Sequence, residues 1–415
     1  MVAAVIRRPT SILVLLTALN LLNYLDRFVL SAVLAKVQDD LHLSNFVGGS
    51  LATVFLIGYF ATSPVFGNLA DRSHRGGRKA LVALGIAIWS VATVASGLAH
   101  GAASLVAARA VVGVGEASYA TIAPTLIDDV APPGQKGRWM AIFYSATPIG
   151  SALGYIVGGS VEHATGSWRA AFFIAGGPGI VLALLCLLIA EPPRLPVARP
   201  PEVFASVRAL LGMPLFVRTV VGYCAYTFAL GGFAFWAPKY LHARYGMEAG
   251  VASSRFGLVT VVAGAIGTLV GGWLGDAAAK SKTDMSAARG NVDVCALSAG
   301  LGAPLAAAAV LATTTTGFFV SVFPCEIGLF LLSGPVNVAI LRSVPSALRA
   351  SAMALSIFAI HVLGDLWSPP LIGLAIDALL RHHEPIEWAM LAAPVAFAVA
   401  AIVWRGGRIH PVRLT

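Results

Sequence analysis

The chain has 415 residues, of which 58% are hydrophobic and 11% charged, with a mean hydropathy of +0.82. Soluble domains carry about 25% charged residues, so this composition excludes a soluble enzyme or binding module and points to a polytopic membrane protein. The net charge of +9 is not gathered on a basic, aromatic-interleaved face, so no nucleic-acid partner is expected.

Apolar runs long enough to cross a bilayer, about 20 residues each, predict an all-α chain of twelve spans. They fall at 11–37, 45–70, 79–99, 102–128, 137–162, 168–190, 216–242, 251–279, 291–312, 316–342, 350–380 and 386–405. The first run follows Arg7-Arg8 as a signal peptide would. It continues without a small-residue cleavage site to about Gln38, which predicts a retained span. Cys186, Cys224, Cys295 and Cys325 lie in four different runs, with no spacing that suggests a disulfide framework or a metal site.

Between the sixth and seventh spans the rhythm breaks at Glu191-Pro192-Pro193-Arg194, continuing to Met213-Pro214, with an amphipathic pattern over Val203 to Leu211 that predicts one short helix. The expected division is therefore a six-helix bundle over 1–190, a cytoplasmic linker over 191–215 and a second bundle over 216–415. The two halves echo each other. Gly67-Asn68-Leu69-Ala70-Asp71 closes the second span as Gly272-Trp273-Leu274-Gly275-Asp276 closes the eighth, each before a basic loop. Two pseudo-symmetric six-helix repeats are the architecture of a rocking transporter. Alternate loops carry 20 and 6 of the Lys and Arg residues, with Arg27 and Arg109 left inside spans. The basic side is cytoplasmic by the positive-inside rule, which places both termini there. Compact loops and an Ala/Arg-rich composition suggest a bacterial inner membrane.

The fourth span contains Arg109 and Glu116, two helical turns apart and on one face. A charge at the centre of a membrane helix costs at least about 2.5 kcal/mol on the insertion scale, so a partner or a function is expected. In the first span Asn20, Asn23, Tyr24 and Arg27 recur at i, i+3, i+4 and i+7, a polar stripe expected to face a cavity, with Asp26 beside it.

Gly67-Asn68-Leu69-Ala70-Asp71-Arg72, followed by Arg75-Gly76-Gly77-Arg78-Lys79, resembles the signature loop between the second and third helices of the major facilitator superfamily. Asn23-Tyr24-Leu25-Asp26-Arg27 and Gly113-Val114-Gly115-Glu116-Ala117-Ser118-Tyr119 are similar to stretches of the Spinster family within it. The resemblance implies an alternating-access transporter whose relatives move lysophospholipids or sphingosine phosphate. It further implies that Asp26 and Glu116 take part in proton-linked switching with Arg27 as ionic partner. Protons are then the coupling ion, and no cofactor or metal is expected.

The physics suits such a switch: a rearrangement that moves Arg27 or Arg109 relative to Glu116 changes the carboxyl's proton affinity. The bland reading is a static ion pair holding the bundle together. Gly67, Asp71, Arg72, Arg75, Arg78 and Asp276 form a candidate cytoplasmic latch, Asp71 suiting a neighbouring helix N-terminus. The alternative for the basic members is that they only set topology. Tyr223, Tyr226 and Trp236 in the seventh span, with Arg109 and Tyr119, complete a candidate cavity for an amphiphile, its anionic headgroup on arginine and its tail on aromatics; ordinary packing is the other reading. Glu326 and the i, i+4 pair His361 and Asp365 are secondary proton-site candidates. No serine–histidine or HExxH arrangement points to an enzyme. A facilitative uniporter, or a proton-linked exporter of small organic anions or drugs, is the rival to a lipid transporter. A monomer in the bilayer is the expected functional unit.

Overall fold

The computed structural model describes residues 6–73, 77–132, 135–191, 203–280 and 283–406. Twelve helices among them are long and apolar enough to cross a membrane, and the chain is a multi-pass membrane protein. In order these begin with α1 (Pro9–Leu41), α2 (Asn45–Arg72), α3 (Gly77–Gly97), α4 (Ala102–Val130), α5 (Lys136–Thr165) and α6 (Trp168–Leu187). The short α7 (Val203–Leu211) forms where the amphipathic pattern places it, with Ser206 and Leu210 buried. Then follow α8 (Pro214–Tyr245), α9 (Ala249–Ala279) and α10 (Asp284–Leu311). Span ten is the pair α11 (Thr315–Leu331) and α12 (Ser333–Arg342). Span eleven is α13 (Arg349–Ile360) and α14 (Ser368–Arg381), and the last is α15 (Glu387–Met390) with α16 (Ala392–Arg405).

Most ends agree with the apolar runs to within a few residues. The exception is α10, which begins at Asp284 rather than near 291. Its first turns are polar, so hydropathy passes over them, but the Thr283 side chain accepts from the Ser286 N–H and caps the helix there. Span eleven is interrupted by a π-turn over His361–Asp365, where the Leu366 N–H reaches the His361 carbonyl. Pro369 and Pro370 lack the N–H that would continue the ladder. The Ser368 hydroxyl and the Trp367 indole N–H donate instead to the carbonyls of Asp365 and Val362.

Contacts divide the chain into two compact units. The first comprises Met1–Ala198 with Ala234–Val261 and Pro369–Ile386; the second comprises Arg199–Phe233, Val262–Ser368 and Glu387–Thr415. In the first unit α1 lies along α5, α2 along α4, and α3 between α4 and α6. The α1 and α5 backbones touch because Gly150 and Gly154 have no Cβ: one built there would sit 2.5 Å from the Leu21 and Leu25 carbonyl oxygens. Small residues four apart let membrane helices approach in this way. In the second unit α10 packs on α11, α12 and α16, and α7 packs on α13.

Candidate functional site

The charges that hydropathy singled out meet in the middle of the first unit. An Arg27 guanidinium N–H donates to Glu116 Oε2 at 2.7 Å, joining α1 to α4. Glu116 is fully buried, whereas the Arg27 side chain remains 23% exposed. That asymmetry makes Arg27 the member of the pair that a ligand could reach. Its guanidinium lies over three rings, at 4.9 Å from the centroid of Tyr24, 4.8 Å from Phe55 and 5.7 Å from Tyr59. Such cation–π contacts hold a partly desolvated cation without neutralising it. Arg109 lies 5.3 Å from the Phe55 centroid, so Phe55 serves both arginines.

Asp26, one residue before Arg27, points to a different neighbour: the Thr93 hydroxyl of α3 donates to its Oδ2. Asp26, Arg109 and Glu116 are all buried, so the core of this unit holds two carboxylates with one buried and one part-open guanidinium. Their formal charges balance only when both carboxyls are ionised. Among the described residues, Asp26 Oδ1, Glu116 Oε1, Asn23 Nδ2, Arg27 Nε and Arg109 Nε and Nη1 have no hydrogen-bond partner. A buried ion pair whose remaining atoms are unsatisfied is poor at stabilising a fold. It is well suited to changing partners.

The other expected cavity residues are distributed as follows. Tyr24 is part-exposed beside Arg27, while Asn20 is buried and donates to the Phe143 carbonyl at 3.0 Å. The hydroxyls of Tyr119 and Tyr226 donate to the carbonyls of Leu16 and Leu329, and the Trp236 indole N–H to that of Pro369. All three side chains are buried and join neighbouring helices. The Tyr223 ring lies tilted against that of Tyr226, their centroids 5.9 Å apart, within the second unit. In that unit His361 Nδ1 meets Asp365 at 2.9 Å across the π-turn, both side chains about a quarter exposed, and Glu326 is buried in α11.

Of the candidate latch, Arg75 and the Asp71 side chain lie outside the described residues, as does 192–202 of the linker. Gly67 is half-buried, and Arg72 and Asp276 are exposed. Arg78 is more than a topology charge: it is buried, 2.6 Å from Asp129 at the end of α4 and 3.0 Å from Glu191 after α6. Lys79 donates to the carbonyls of Leu187 and Ile189 beside it. Sequence reasoning missed Thr93, Phe55, Tyr59, Asp129 and Glu191. Phe55 and Tyr59 share a face at i and i+4, the one signal that could have flagged them.

A model of the Major Facilitator Superfamily matches residues 16–369. The chain is 34% identical over 402 residues to protein spinster homolog 1 of Xenopus tropicalis, with 91% of this chain and 75% of that protein covered. It is 36% identical over 409 residues to the human protein of the same name, at 91% and 75% coverage. An Arabidopsis thaliana protein named "Probable sphingolipid transporter spinster homolog 2" is 32% identical over 441 residues, covering 96% of this chain and 87% of that one. The fold is shared with the crystal structure of a bacterial homologue of the human lysosomal transporter Spinster, inward-facing and unoccupied. That comparison has a TM-score of 0.83 at 21% identity and covers 95% and 96% of the two chains. A D-xylose–proton symporter has the same fold at a TM-score of 0.73 and 18% identity, with 95% and 97% covered. The chain belongs to the Major Facilitator Superfamily and, within it, to the Spinster family.

Proposed function

We propose that this protein is a proton-coupled secondary transporter that works by alternating access and moves an amphiphile with an anionic headgroup, of the lysophospholipid or sphingoid-phosphate type. The observation that supports this most is the Arg27–Glu116 pair, one partner sealed and the other part-open among aromatic rings. A proton on Glu116 removes the negative partner of Arg27 and leaves the core with excess positive charge. An anionic headgroup arriving at Arg27 restores the balance, so proton and substrate are taken together. Deprotonation returns Arg27 to Glu116 and expels the headgroup. Asp26, held by Thr93, is the second carboxyl able to take the proton. Tyr24, Phe55 and Tyr59 accept the apolar part nearest the headgroup, and the name of the Arabidopsis relative favours a lipid of this class.

In this reading the sequence halves 1–190 and 216–415 are the moving bodies, joined by 191–215. Both termini are cytoplasmic in a bacterial inner membrane, a monomer suffices, and protons are the only coupling species. The test is flux of a fluorescent lysophospholipid in proteoliposomes with and without an imposed pH gradient. The reading expects the gradient to drive accumulation. Equilibration at the same rate and extent without regard to the gradient would leave a facilitative uniporter. Accumulation of a small organic anion with no movement of the lipid would move the cargo to that class.

A further inference from the structure

Inside the first unit, the start of α2 is held by residues from three other helices, none of which the proton chemistry uses. A helix begins with amide N–H groups that lack intrahelical partners and carry partial positive charge. At α2 the Ser44 hydroxyl accepts from the Val47 N–H, a local cap. The two preceding donors are met from more than 300 residues away: Asp377 of α14 accepts from the Asn45 N–H at 3.0 Å through Oδ1 and from the Phe46 N–H at 2.8 Å through Oδ2. The Asn45 side-chain amide also donates to Asp377 Oδ1 at 2.7 Å. From α8, the Lys239 ammonium reaches Asn45 Oδ1 at 2.7 Å and Gln38 Oε1 of α1 at 2.6 Å. Asn45 thus links a lysine to an aspartate, and Gln38 closes the ring by donating to the Ser44 carbonyl.

The backbones here are in contact as well. A Cβ on Gly373 would lie 2.3 Å from the Asn45 carbonyl oxygen, and one on Gly49 would lie 2.3 Å from that of Pro369. Nearby, the hydroxyls of Ser31 and Tyr155 donate to the carbonyls of Phe235 and Ala234. Parts of α8 and α14 are held in this unit by these contacts, although their sequence lies in the other half.

We infer that Asp377, Asn45, Lys239 and Gln38 form a releasable lock that seals this end of the protein in one state and opens in the other. Lys239 and Asp377 thereby set the balance between the two states. Charge-assisted bonds to a helix start suit that task because water can replace every one of them when the helices part. The inference rests on the alternating-access reading above.

The test labels Phe46→Cys and Leu380→Cys, two exposed positions on α2 and α14, with nitroxides and measures their distance distribution by double electron–electron resonance; the four native cysteines are buried. Removing the lock with Asp377→Asn or Lys239→Met should raise the ratio of long-distance to short-distance species at least about tenfold, a modest requirement for lost charge-assisted bonds. Gly373→Ala, which touches no charge, should shift it in the same direction, and Asp377→Glu should restore most of the short-distance population. Thermal melting checks that each variant is folded, and Gly373→Ala with Asp377→Glu keep the test decisive if Asp377→Asn does not fold. Two populations in the parent with unchanged ratios in the variants would overturn the lock while leaving alternating access standing. A single unchanging distance in parent and variants alike would overturn both.

Discussion

Arg27 and Glu116 make unequal demands on the fold. Removing the arginine alone leaves a sealed carboxylate with no cation at hydrogen-bond distance, at a cost of about 3–5 kcal/mol for breaking a buried pair. Arg27→Ala should therefore lower the melting temperature in detergent, and adding Glu116→Gln should recover most of the loss. If the double variant melts no higher than the single one, the charge of Glu116 is not what Arg27 offsets. Tyr119 provides a contrast, because among the described residues its hydroxyl bonds only the Leu16 carbonyl. Tyr119→Phe should cost about 1 kcal/mol of stability and leave the pH dependence of flux unchanged; a shift in that dependence would place Tyr119 in the proton chemistry. The charged members were legible in the sequence because Asp26, Arg27, Arg109 and Glu116 contrast with the apolar runs around them. Thr93, Phe55 and Tyr59 are common membrane-helix residues, and the i, i+4 spacing of the two aromatics marks a shared face without saying that a charge lies beside it.

At the scale of helices, α5 lies on α1 through a row of glycines that leaves no room for a side chain. Gly154→Ala puts a methyl against the Leu25 carbonyl oxygen, 2.5 Å from its ideal position. Overpacking of this kind costs about 1–3 kcal/mol, and it should appear as a lower melting temperature. An unchanged melt would mean that α1 and α5 can separate freely. Glycines recur at 150, 154 and 158, the four-residue spacing of small residues by which membrane helices approach closely. The polar first turns of α10 and the π-turn at 361–365 were not visible to an apolar count, because capping by Thr283 and the proline pair at 369–370 act through hydrogen bonds rather than hydropathy.

For the whole molecule, composition and twelve apolar runs were enough to reach the fold, since only a helix satisfies its own backbone in lipid. The contacts that bind 234–261 and 369–386 into the first unit were out of reach: Lys239 reads as one more loop charge and Asp377 as an ordinary helix end, and only their meeting at Asn45 gives them a role. Sidedness can be checked directly. Cysteines introduced after Met1 and at Thr415 should resist a membrane-impermeant maleimide in intact cells and react after lysis, and reaction in intact cells at either end would reverse the assignment.

The most direct test of proton coupling through Glu116 compares wild type with Glu116→Gln in proteoliposomes, for pH-driven accumulation of lysophospholipid and for exchange without a gradient. Glu116→Gln should lose at least about tenfold of the gradient-driven accumulation, equivalent to about 1.4 kcal/mol, while exchange persists. Gradient-driven accumulation at the wild-type level in Glu116→Gln would contradict it.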